Sequence, residues 1–243
     1  ERYTLWLRVQ SSGPMVLPLH ISKVNGFLAA TLAEQTLQGL LAGIALTLVL
    51  YSLIQWLSLR DTLYLKYAML AGASAMFSVA QFGVGAQFLW PDTPWFELHV
   101  AGLAALIASG STILFVMHVL RDLPHSRWYA PAMKAGAALL FGLAVAFALD
   151  LIHVRVALAA VGSVGLLPSL LGVPGALLLA LRRDPIGPAL IVAWTAYFAC
   201  AALFVAMLRG NLPANGLTMH LFQIGATLDM ILFLRVVALR SKQ

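Results

Sequence analysis

The sequence predicts an all-α membrane protein: a seven-transmembrane helix bundle, N-terminus outside and C-terminus inside, preceded by a short β-hairpin from a truncated extracytoplasmic β domain. Three observations carry this reading. Of 243 residues, 61% are hydrophobic and 10% charged, with a mean hydropathy of +0.91, whereas a soluble domain averages about 45–50% and about 25%. The fifteen Lys and Arg and nine Asp and Glu side chains fall in clusters separated by long uncharged gaps. The cations favour alternate clusters.

The chain opens on alternation. Tyr3, Leu5, Leu7 and Val9 alternate with Thr4, Arg8 and Gln10, Ser11 to Pro14 reads as a turn, and Met15, Leu17, Leu19 and Ile21 alternate again. Residues 1–26 are therefore expected to end an extracytoplasmic jelly-roll-like β domain, because a lone hairpin is marginal in water. Residues 27–37 are expected to link it to the first helix. Residues 38–240 form the predicted bundle, and residues 241–243 begin a cytoplasmic connection to an output domain missing from the chain. Glu1 is not a start methionine, so a processed or excised piece is expected.

A spanning helix needs about 20 apolar residues. Uncharged gaps run over 35–59, 67–91, 98–120, 156–181 and 185–208, and each can cross a bilayer. The gap 135–149 is shorter, but Lys134 and Asp150 at its ends can snorkel to the headgroups. The last span, Gly216 to about Val237, is apolar except for Asp229. Orientation follows from the cations. Arg60, Lys66, Arg121, Arg127, Lys134, Arg182, Arg183, Arg235, Arg240 and Lys242 fall on one side, and only Arg155 and Arg209 on the other. This bias places the C-terminus in the cytoplasm. It also accounts for the net charge of +6 without a nucleic-acid partner. Trp90, Trp95, Trp128 and Tyr129 lie at expected interfaces. The single cysteine, Cys200, excludes an intrachain disulfide and a CxxC site.

The loops carry a resemblance. Tyr51, Arg60-Asp61, Tyr64-Leu65 and Tyr67 follow the first span; Gly83 to Gly85 and Gln87 to Asp92 lead to Pro94-Trp95; Leu212 to Asn215 precede the last span. In this order they resemble the bacterial seven-transmembrane receptors with diverse intracellular signalling modules (7TMR-DISM). The resemblance runs from the hairpin to the C-terminus. It implies a sensor in the bacterial cytoplasmic (inner) membrane, with an outer jelly-roll domain for carbohydrate-like or other small ligands. It also implies an inner module of diguanylate cyclase, histidine kinase or phosphatase type. Family members more often carry Glu near Asp229.

Asp229 lies fourteen residues after Asn215, about 21 Å along a helix, in the inner third of a core about 30 Å thick. It is a candidate signalling residue. The plainer alternative is an acid held by His118, Arg60 or Arg182. His220, Gln223 and Thr227 share a helix face that points away from Asp229. With Trp90, Trp95, His99, Arg209 and Asn215, His220 and Gln223 are candidates for lining an outer ligand pocket, or for satisfying one another at the interface. Pro168 and Pro174 interrupt the fifth span, as a signalling hinge or a static kink. Gly39 and Gly43 form a GxxxG pair suited to a homodimer seam or to packing inside the bundle.

Other classes fare less well. A retinal pump needs a lysine within the last helix, and Lys23, Lys66, Lys134 and Lys242 all lie outside the spans. An intramembrane serine protease would need Ser74 and His220 together. A small-solute transporter is the main rival, although no inverted repeat is found. The expected function is a sensor module that catalyses nothing itself and has neither cofactor nor metal. Its expected partners are membrane lipid, an unknown small-molecule ligand and a second copy of the chain.

Overall fold

The gaps between charges become helices. A computed structural model describes residues 8, 22–123 and 127–241, and among these every regular element is helical. The expected hairpin falls outside the described residues. Helix α1 runs Val24–Leu59, which corrects the expected boundary: residues 24–26 and the linker 27–37 are its first turns. From Phe27 to Gln38 the chain has no Pro or Gly and many helix formers, among them Ala29, Ala30, Leu32, Ala33 and Glu34. At 36 residues it extends about 54 Å, longer than the hydrocarbon core.

Each later helix has a local stop or start. Arg60 takes a left-handed conformation (φ 55°) and donates its N–H to Trp56 O at 2.8 Å, closing α1. Asp61 caps α2 (Thr62–Gln81) by accepting from the Leu63 amide at 2.8 Å. A turn at Gly83 leads to the short α3 (Val84–Phe88), and Pro94 sits in the first turn of α4 (Pro94–Val119). Helix α5 spans Tyr129–Ala148. The fifth span is broken into α6 (Val154–Ser163), a 3-10 turn over Val164–Leu166, and α7 (Leu167–Leu181). Helix α8 is Ile186–Leu208 and α9 is Gly216–Arg240, opened by a reciprocal capping box between Asn215 and Thr218.

Taking α6 to α7 as one unit, seven segments among the described residues are long and apolar enough to cross a membrane. The protein is a multi-pass membrane protein. Helix α4 is central, packing on α2, α5, α6, α7 and α9, while α8 lies along α9 and α1 along α2. Leu106, Ile113 and Phe115 of α4 are fully buried with Tyr67 of α2 and Phe233 of α9. Close approach depends on glycine at α8–α9: a Cβ on Gly225 would stand 2.5 Å from Cys200 Cβ. By contrast Gly39 and Gly43 are exposed, with nothing near an added Cβ, so the GxxxG pair takes no part in packing within the described bundle. Lys66, Arg121, Arg182 and Arg240 mark one end of the bundle, called the basic end below.

Candidate functional site

Helix α9 carries two polar features, and they face different neighbours. At the end opposite the basic one, His220 and Gln223 meet α1. Gln38 and Gln223 exchange amide hydrogen bonds, Gln38 Nε2 donating to Gln223 Oε1 at 3.2 Å and Gln223 Nε2 to Gln38 Oε1 at 2.8 Å. His220 lies between the Gly216 carbonyl (Nδ1, 2.6 Å) and Glu34 Oε1 (Nε2, 2.8 Å), and its ring stacks on Phe82 at 4.8 Å. A carbonyl and a carboxylate only accept. Both ring nitrogens of His220 are thereby engaged.

The same construction recurs on α4. His99 lies between Trp95 O (Nδ1, 2.9 Å) and Asp150 Oδ1 (Nε2, 2.7 Å), and Trp95 stacks on the His99 ring at 4.6 Å. Trp90 covers Gly85, where any Cβ would collide with the indole, and stacks on Phe96 at 5.9 Å. Asn215 caps α9, and Arg209 closes α8 with its N–H on Val205 O. The structure places the seven outer residues in separate groups, held by hydrogen bonds, stacking and caps. With both nitrogens engaged, His220 has none left to activate Ser74.

Asp229 points elsewhere, into a cavity of about 240 Å³. Its walls come from five spans: α2, α4, the broken fifth span, α8 and α9. Asp229 Oδ1 is buried and has no hydrogen-bond partner. The partners expected for it do not reach the cavity: His118 contacts Lys66 and Arg121, and among the described residues no Lys, Arg or His lines the space. Thr112 and Ser169 reach the same space but donate to nearby main-chain carbonyls, Ala108 O at 2.9 Å and Leu166 O at 2.8 Å. Aromatic faces of Phe77, Trp194, Tyr197 and Phe222 complete the walls.

Pro168 lines the cavity too. Its missing N–H and its ring remove the bond to Val164 O, which is where the 3-10 turn begins. Gly165, in that turn, comes close to α4: an added Cβ would stand 3.2 Å from Ser109 Oγ. Pro174 lies further along α7, inside a continuous helix. Leu158 and Leu166 on one rim and Phe198 on the other are exposed apolar side chains, so the cavity opens toward the lipid-facing surface. One wall was open to sequence reasoning, since Phe222, Ala226, Asp229 and Phe233 recur at helical spacing. The opposing walls, with Ser109, Thr112, Trp194 and Tyr197, carried no such signal.

At the basic end the chemistry reverses. His118 lies between Lys66 Nζ (Nδ1, 2.8 Å) and Arg121 Nη1 (Nε2, 3.1 Å). Arg240, in the last turn of α9, pairs with Asp122 beyond α4, and Tyr64 donates to Ser241 Oγ at 3.2 Å. These contacts tie the end of α9 to the starts and ends of its neighbours. Among the described residues no group of His, Cys, Asp or Glu is arranged to hold a metal ion.

A comparison with protein families matches residues 34–240 to a model described as 7TM diverse intracellular signalling. Neither the curated proteins nor the solved structures yield a match. The matched stretch takes in most of α1 and every later span, together with Asp229 and the broken fifth span. This chain belongs to the 7TM diverse intracellular signalling family.

Proposed function

We propose that the chain is the transmembrane sensor and transmission module of a bacterial signalling protein, set in the inner membrane with its N-terminus periplasmic. The family suggests a sensor module. The cation bias supports the orientation. In this reading α9 is the output rod. Its middle borders the cavity through Asp229, and its end is held by Arg240–Asp122 and Tyr64–Ser241. A ligand that prefers one packing of α6 to α7 against α9 over another shifts the population of bundle states. The displaced end of α9 passes that shift to a cytoplasmic diguanylate cyclase or histidine kinase type module. The bundle itself catalyses nothing.

The observation that carries the reading is the family match, running through α9 to residue 240. The test joins Gln243 to a diguanylate cyclase domain and measures cyclic dinucleotide in bacterial cells. Product is expected only if the C-terminus is cytoplasmic, and Asp122→Ala and Arg240→Ala are each expected to change its level severalfold. Absence of product, or identical output from all variants together with solute uptake by liposomes carrying the chain, would overturn the receptor reading in favour of a transporter.

A further inference from the structure

The cavity around Asp229 is chemically one-sided. It offers an acceptor, Asp229 Oδ1, that no protein group satisfies. Of the hydroxyl-bearing residues on its walls, Ser74, Ser109, Thr112, Ser169 and Tyr197, two are turned back onto nearby main-chain carbonyls, Thr112 onto Ala108 O and Ser169 onto Leu166 O. Among the described residues no cation lines it. The remaining walls are largely apolar, with the faces of Trp194, Tyr197 and Phe222 among them, and such faces attract cations. An anionic ligand would find a carboxyl and no opposite charge, and a purely apolar one would leave the buried oxygen unsatisfied.

We infer that this cavity is a binding site for a small, largely apolar primary amine, its ammonium head on Asp229 and its apolar body among the aromatic walls. The volume, about 240 Å³, is below the range of about 300–1,000 Å³ typical of drug-sized ligands, so the ligand is small. Entry is from the lipid-facing surface, between Leu158 and Leu166 on one side and Phe198 on the other. An amine that partitions into the interface meets this opening without crossing a polar outer pocket. The site sits where Pro168 breaks the fifth span, so occupancy bears on the packing of α6 to α7 against α8 and α9. The consequence for signalling rests on the receptor reading; the binding does not.

The experiment measures saturable binding of three matched probes, 2-phenylethylamine, 2-phenylethanol and phenylacetate, to the whole chain in lipid nanodiscs. The amine is expected to bind about tenfold or more tighter than the alcohol or the acid, the scale of a hydrogen bond to a charged group. Asp229→Asn is expected to remove that preference, and Ala226→Phe, which fills the cavity from α9, to abolish saturable binding. Thermal melts of each variant separate lost binding from lost folding. Equal binding of acid and amine, no saturable binding, or an amine preference that survives Asp229→Asn in a folded protein would each overturn the inference. Because no output module is involved, failure here is distinct from failure of the cyclase fusion.

Discussion

The hydroxyl of Tyr67 in α2 donates to the main-chain oxygen of Met230 in α9 at 2.7 Å, one residue from Asp229, and the Tyr67 side chain is fully buried. This bond fixes the rotation of α9 against α2 at the depth of the cavity. Tyr67→Phe keeps the ring and its contact with Phe115. It leaves Met230 O with only its place in the helix ladder. The expected loss is about 1 kcal/mol, read by reversible unfolding in mixed micelles, with the direction of Asp229 altered more than the total stability.

The Gln38–Gln223 pair gives a sharper test of satisfaction. Each amide is both donor and acceptor to the other. Gln38→Leu alone leaves the Gln223 amide buried without either of these bonds, an expected cost of about 1–3 kcal/mol. The double change to Leu removes both polar groups and is expected to cost less than the two single changes summed. A double-mutant cycle on unfolding free energy measures the coupling, and additivity would contradict the geometry.

Glycine positions divide into two kinds. Gly225→Ala puts a Cβ 2.5 Å from Cys200 Cβ, so α8 and α9 must separate. A loss of about 1–3 kcal/mol is expected, with partial rescue by Cys200→Gly. Gly39→Ala and Gly43→Ala meet nothing within the chain. They are expected to leave unfolding unchanged or slightly raise stability through helix propensity, by about 0.5–1 kcal/mol each. If this exposed face is the homodimer seam, Gly39→Ile with Gly43→Ile lowers cross-linking between copies while the melt stays intact.

The spans were legible because each long gap between charges must be a helix once the chain is in lipid, where every backbone group has to be satisfied locally. Asp229 was legible as an isolated acid. Its surroundings were not, because Ser109, Trp194 and Tyr197 come from other spans and look like ordinary membrane-helix residues. The sequence offered His118, Arg60 or Arg182 as partners for Asp229. In the structure His118 and Lys66 contact each other, and His118 has Arg121 on its other nitrogen, so the acid is left facing the cavity. The outer residues looked like one group because they share an end of the bundle. Separate elements claim them: Glu34 and Gln38 of α1 hold His220 and Gln223, Asp150 holds His99, and Arg209 and Asn215 serve helix ends.

The break in the fifth span tests whether the cavity depends on Pro168 or on tertiary packing. Pro168→Ala restores an N–H that can reach Val164 O, favouring continuous α-helix through 164–166 in place of the 3-10 turn. A continuous helix would carry Leu158 and Val161 on α6 to a new angle relative to Trp194 and Tyr197 on α8, and reshape the space beside Asp229. The expected outcome is a stability within about 1 kcal/mol of the parent, the restored helical hydrogen bond being offset by the greater freedom of the unfolded chain without proline, with weaker binding of 2-phenylethylamine. Gly165→Ala approaches the same turn from the packing side, since its Cβ meets Ser109 Oγ at 3.2 Å. It is expected to lose both stability and binding. If Pro168→Ala leaves amine binding unchanged while Gly165→Ala removes it, contact with α4 and not the proline holds the cavity open.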